Sequence, residues 1–191
     1  MFARFNTVFV LCALVALSAC AKSVYAPASE VQKRAYVSDE APYLELMTMI
    51  SNSSGAGGHS SLVVNGSQVI MYDPAGRYWN SLLPERDDVL FGLNPAMMQR
   101  YKSFHARDTH HVVSQRVYVS QAVAEIAYKA ALEQGASPDA MCANNVSALL
   151  DKVPGFESVG HTWSPKRLMN NFAKLPNVKT DKHYENDTGK N

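Results

Sequence analysis

Asn65-Gly66 stands between two apolar runs, Leu62-Val63-Val64 and Val69-Ile70-Met71-Tyr72. An Asn-Gly pair favours the φ > 0 conformations that close a tight two-residue turn, so the segment predicts a β-hairpin and an antiparallel pair. His59 opens the first strand and Asp73 closes the second. Lying six or seven residues from the turn, they fall at the same open end of the hairpin and are predicted neighbours.

Other segments extend the pattern. Tyr43 to Ile50 alternates in part (Leu44, Leu46, Thr48, Ile50) and predicts a strand; the Gly- and Ser-rich stretch Ser51 to Gly58 predicts a loop. Val112 to Val119 alternates as a further strand. Ser120 to Gln134 carries Val123, Ile126, Ala127, Ala130 and Ala131 at helical spacing and stops at Gly135. Ser137-Pro138-Asp139 has the residues of a helix start, with Ser137 or Asp139 as the cap. In that helix Cys142, Val146, Leu149, Leu150 and Val153 share one apolar face, which puts Cys142 within about the first turn and a half. Shorter helices are predicted for Ser29 to Ala35, Pro95 to Phe104 and Ser164 to Leu175. The pairs Met47/Met49 and Met97/Met98 read as core filler. The fold class is therefore α+β, an antiparallel sheet packed on a Cys-bearing helix.

The N-terminus has its own logic. Arg4 precedes an apolar run from Val8 to Leu17, followed by the small residues Ser18 and Ala19. The run is too short to cross roughly 30 Å of hydrocarbon as a helix, and its layout is that of a cleaved secretory signal over residues 1–19. Leu17-Ser18-Ala19-Cys20 also resembles the bacterial lipobox, which implies cleavage before Cys20 and its acylation. Ala21, where an inner-membrane retention signal usually carries Asp, favours the outer membrane, with the protein facing the periplasm. Three acyl chains exceed what stable anchoring needs. Residues 20–42 are then a lipidated tether, 43–178 one domain and 179–191 a polar tail. The 18 basic and 17 acidic side chains nearly balance and form no basic stripe, which argues against nucleic acid as a partner.

Three cysteines reduce to one in the mature domain, since Cys12 leaves with the signal and Cys20 takes the lipid. Cys142 is thus unpaired in an oxidising compartment, either a buried core residue or a reactive thiol. A helix N-terminus and a neighbouring imidazolium both lower a thiol's pKa, and the hairpin offers His59 as that neighbour. Asp73 could hold the second ring N–H of His59; by local composition, Asp73-Pro74-Ala75-Gly76 is also simply a turn. His105, His110 and His111 with Asp108 match no ligand spacing and read as a solvated loop, so neither a metal nor a cofactor is expected.

The order of a His strand, a hairpin, a polar residue, a strand, a helix and a Cys helix resembles the circularly permuted papain-like hydrolases of the NlpC superfamily. The YaeF/YiiX-like bacterial envelope proteins are closest, and lecithin retinol acyltransferase is more remote. The resemblance covers about residues 58–175, including Trp163-Ser164-Pro165-Lys166-Arg167-Leu168-Met169, which looks like the group's Ser-Pro-x-x-Leu element. It departs after the cysteine, where the family carries Ser or Thr and an aromatic residue and this chain has Ala143-Asn144-Asn145. The resemblance implies a lipid-anchored thiol hydrolase of amidase or peptidase type with Cys142, His59 and Asp73 as catalytic residues. Peptidoglycan peptides or lipid-linked amides would be its accessible substrates. A lipid acyl hydrolase or acyltransferase on the same fold, and a non-catalytic binding lipoprotein, are the alternatives. Oligomeric state and protein partners are not readable from the sequence.

Overall fold

The computed structural model describes residues 24–186; the signal peptide expected over residues 1–19 and the lipidation expected at Cys20 lie outside the described residues. Seven strands form one antiparallel sheet: β1 (Tyr43–Ser51), β2 (Gly57–Asn65), β3 (Val69–Tyr72), β4 (Glu85–Arg86), β5 (Val89–Phe91), β6 (His110–Tyr118) and β7 (Lys179–His183). Their order across the sheet is β4-β5-β3-β2-β1-β6-β7. Among the described residues five α-helices accompany them: α1 (Ala28–Arg34), α2 (Pro95–His105), α3 (Gln121–Glu133), α4 (Cys142–Leu150) and α5 (Pro165–Phe172). The fold is α+β.

Both faces of the sheet are covered. Leu44, Leu46, Leu62 and Val64 pack against Ala127 of α3, Val146, Leu149 and Leu150 of α4, and Leu168 and Phe172 of α5. Met47, Met49, Val63 and Met71 project the other way, onto Met97 and Tyr101 of α2. A strand buried on two sides loses the polar half of its alternation, which is why β1 alternates only in part. Its one charge, Glu45, is buried and held by Arg116 at 2.6 Å and Lys102 at 3.4 Å. Both methionine pairs contribute to this core, Met98 from its margin.

Helix starts follow the expected chemistry where a polar side chain is free to cap. Asn94, Ser120 and Ser164 each accept the N–H of the residue three positions on, with Pro95 and Pro165 next in line at two of them. The Cys helix differs. Neither Ser137 nor Asp139 caps it; α4 begins at Cys142 itself, after Met141 and a left-handed Ala140 (φ +64°). Ser137 is instead buried, its N–H donating to the Asp88 carboxylate at 2.7 Å. Its Oγ accepts from the Asn145 side-chain amide and not from a helix N–H, so the thiol takes the helix's first position.

The hairpin forms with a longer loop than the Asn-Gly pair predicts. Asn65 pairs with Val69, and Gly66 to Gln68 make the turn. Gly66 has no left-handed φ; a Cβ there would press on Tyr128 and on the Ala124 carbonyl of α3 at 3.3–3.4 Å. Close approach of a helix, not turn handedness, is what this glycine serves.

Two boundary expectations are corrected. Residues 24–42 do not hang free: α1 is there, Ala26 N–H donates to Glu85 O, and Val69 N–H donates to Tyr36 O, both at 2.8 Å. The polar tail over 179–191 begins with β7, whose residues Lys179 to His183 pair with Arg116 to Val112 of β6. An edge strand needs backbone partners rather than apolar side chains, and Lys is a common residue there.

Candidate active site

β3 leaves the sheet early. It pairs with Leu62 to Asn65 and ends at Tyr72, because Pro74 offers no N–H and Ala75 turns the chain at φ +57°. The first half of β2, Gly57 to Ser61, therefore has β1 on one edge and no strand on the other. His59, Asp73 and Cys142 gather at this opened edge, although the two hairpin residues come from a register different from the expected one.

His59 Nε2 lies 2.7 Å from Asp73 Oδ1. Asp73 is buried and its Oδ1 also accepts the Tyr101 hydroxyl at 2.7 Å; Ser61 Oγ lies 3.0 Å from that same hydroxyl. Below the carboxylate sits Gly76, whose N–H donates to Asp73 O at 2.9 Å. A Cβ on Gly76 would fall 2.0 Å from Asp73 Oδ2. The turn read from Asp73 to Gly76 is real, and it also shapes the seat of the carboxylate.

With Nε2 engaged by Asp73, Nδ1 is the ring nitrogen left for the thiol. Cys142 is 6 % exposed and unpaired, and it lies near enough to His59 for each group to shift the other's titration. The backbone N–H groups of Ser60, on the open edge of β2, and of Ala143 also favour the charged thiol. The first helical bond of α4 runs from Asn145 N–H to Met141 O, so the N–H groups of Cys142, Ala143 and Asn144 precede it and form a donor-rich helix start.

Opposing forces set the charges. Burial pushes the Cys142 thiol up, but the hydrogen bond and charge of His59, with the two N–H donors, bring it below the ordinary thiol value. Burial pushes the His59 imidazole down, and the Asp73 charge and hydrogen bond, together with Cys142, outweigh that and carry it to about 10. Asp73 is likewise lowered by His59 and Tyr101 against its burial. The three directions agree in favouring the charged forms, thiolate, imidazolium and carboxylate.

Two residues of this cluster escape the sequence reading. Tyr101 had no role there, and His105 was grouped with a solvated loop. His105 is instead the last residue of α2, its ring 5.8 Å from His59 and 4.5 Å from Tyr101. Burial, with nearby positive charge and against the pull of Asp73, takes His105 down to about 4, so it is neutral. Tyr101 and His105 are one helical turn apart, and the helix predicted over Pro95 to Phe104 stops one residue short of joining them. His111 is also buried and bonds Asn52 Oδ1 at 2.7 Å. Among the described residues no group of three or more His, Cys, Asp or Glu side chains is arranged to hold a metal ion.

No protein-family model, curated protein or solved structure matches this chain. The case for its chemistry rests on its own geometry.

Proposed function

We propose that the protein is a thiol hydrolase of the permuted papain-like kind, anchored by Cys20 to the periplasmic side of the outer membrane, that cleaves an amide or ester through Cys142 and His59. The single observation that carries this reading is the convergence, at the first turn of α4, of buried Cys142 with a His59 that is bonded to Asp73 and electrostatically coupled to the thiol. A buried thiol kept only for packing needs no imidazole, and a His–Asp pair kept only for structure needs no thiol. The chain order, His59 before Cys142, is the one the permuted branch uses.

The chemistry follows from the positions. The Cys142 thiolate attacks a carbonyl carbon, and the oxygen's developing charge meets the N–H groups at the start of α4. The tetrahedral intermediate collapses to a thioester as the His59 imidazolium gives its proton to the leaving amine or alcohol. Neutral His59 then takes a proton from water, which attacks the thioester and restores the thiolate. Asp73 keeps the ring oriented and stabilises its charged form, and Tyr101 keeps Asp73 in place. Peptidoglycan peptides and lipid-linked amides are the carbonyl compounds within reach of such a site.

The test is an acyl-enzyme. Small activated esters incubated with the purified protein should give a burst of leaving group and, after rapid acid quench, one acyl mass on the Cys142 peptide. Cys142→Ala should abolish both. A fully folded protein that never acylates at Cys142 would be a binding lipoprotein instead.

A further inference from the structure

Four large apolar side chains stand in solvent near the point where the chain enters the domain: Val24, Tyr25 (67 %), Trp79 (78 %) and Leu82. Val24 and Trp79 line one cavity of about 360 Å³ together with Pro27 and Leu83. They are held on the surface of the domain. Val24 O accepts the Asp87 N–H at 2.9 Å, Tyr25 makes a β-bridge to Arg86, and the Arg86 guanidinium lies 4.5 Å from the Tyr25 ring. Acidic Glu30, Glu85 and Asp87 stand beside basic Arg34 and Arg86, so the patch has no excess of positive charge to prefer an anion.

Tryptophan and tyrosine combine an apolar body with a polar edge and settle at the headgroup level of a bilayer. Cys20 precedes Val24 by four residues, a span of at most about 14 Å even when extended at roughly 3.5 Å per residue. Acyl chains on Cys20 would bring a bilayer to this side of the domain.

We infer that Val24, Tyr25, Trp79 and Leu82 form a second membrane contact, seated in the headgroup region of the phospholipid bilayer that holds the Cys20 lipid. The inference rests on the lipoprotein reading above and adds a fixed orientation to it. The segment between site and patch is short: it leaves Asp73 and reaches Leu83, and midway Tyr78 packs on Tyr101 at 5.1 Å. A domain seated on the patch holds its thiol at a constant height over the membrane, which suits a substrate presented at a surface.

The chain's two tryptophans, Trp79 and Trp163, make the test direct. Trp163 is also exposed (64 %) but follows Thr162, whose backbone bonds Ser147 of α4, well away in sequence from the patch. The mature protein is purified from membranes, its Cys20 acylation is checked by mass, and it is reconstituted into phosphatidylcholine vesicles carrying brominated acyl chains. Trp163→Phe leaves Trp79 as the sole emitter, and Trp79→Phe leaves Trp163. Bromine should quench Trp79 at least twofold more than Trp163, and 0.5 M NaCl should not remove the difference. Quenching of Trp79 equal to or weaker than that of Trp163, with Cys20 acylated, overturns the contact and leaves the anchor standing. An unacylated Cys20 overturns the lipoprotein reading and this inference with it.

Discussion

At the residue scale the site depends on one carboxylate with three neighbours. Asp73 receives His59 and Tyr101 on the same oxygen and is walled in by Gly76. Removing it leaves a buried imidazole without the carboxylate that orients it and contributes most to raising its pKa. Asp73→Ala should therefore cut ester turnover by roughly 10²- to 10⁴-fold, the range for a triad member that orients without reacting. Tyr101→Phe removes only one donor to that carboxylate, a loss of about 1 kcal/mol and so about fivefold. Steady-state turnover of both variants, with circular dichroism to verify folding, checks the ranking. Equal, small effects would make Asp73 a turn residue and nothing more.

At the element scale, a small number of backbone devices bring the two halves of the site together. Asp88 is the main one: its carbonyl accepts the Asp73 N–H, and its carboxylate accepts the N–H groups of Ala75 and Ser137. One buried residue thus ties the turn that carries Asp73 to the loop that enters α4. Gly76 is the other. Because a Cβ there would overlap the Asp73 carboxylate, Gly76→Ala should displace that side chain and bring turnover down towards the Asp73→Ala level while the sheet and helices persist. Turnover at the level of the unaltered protein would show that the carboxylate can move without consequence. These devices mark where sequence reading stops. The strands β1, β2, β3 and β6, the helices with polar caps and the apolar face of α4 follow from periodicity and local chemistry, whereas the short β4 and β5 carry no such signal. The first position of Cys142 does not follow, because Ser137 Oγ is engaged by the Asn145 side chain and its N–H by Asp88, far along the chain. The three-residue turn does not, because Gly66 answers to α3 rather than to its own strands. β7 does not, because an exposed edge strand carries no apolar signal. His59, Asp73 and Cys142 could be read as candidates from their spacing, whereas Tyr101 and His105 needed the sheet face on which α2 packs.

At the scale of the whole molecule, the proposed arrangement is a lipid on Cys20, a domain close behind it and a thiol whose state is set by distant parts of the chain. Mass spectrometry of the mature N-terminus should find Cys20 as the first residue, bearing acyl chains; an unmodified terminus elsewhere would remove the anchor. His59 and Cys142 meet only through the fold, since β2 and α4 are separated by four strands and two helices in chain order. The central claim is that this meeting creates a thiolate–imidazolium pair. The sign of the pH dependence follows. A lowered Cys142 pKa keeps the thiolate populated below the ordinary thiol value near 8.5, and a raised His59 pKa keeps its partner charged until about pH 10. In His59→Ala only burial and the backbone donors remain, and the thiol's pKa should rise. The most direct measurement is the rate of Cys142 alkylation by iodoacetamide at pH 6, in the folded protein, in urea and in His59→Ala. The folded protein should react faster than the unfolded chain, in which the thiol is ordinary, and His59→Ala should lose at least tenfold. A folded protein whose Cys142 reacts only after unfolding, or whose rate is unchanged in His59→Ala, would contradict the account.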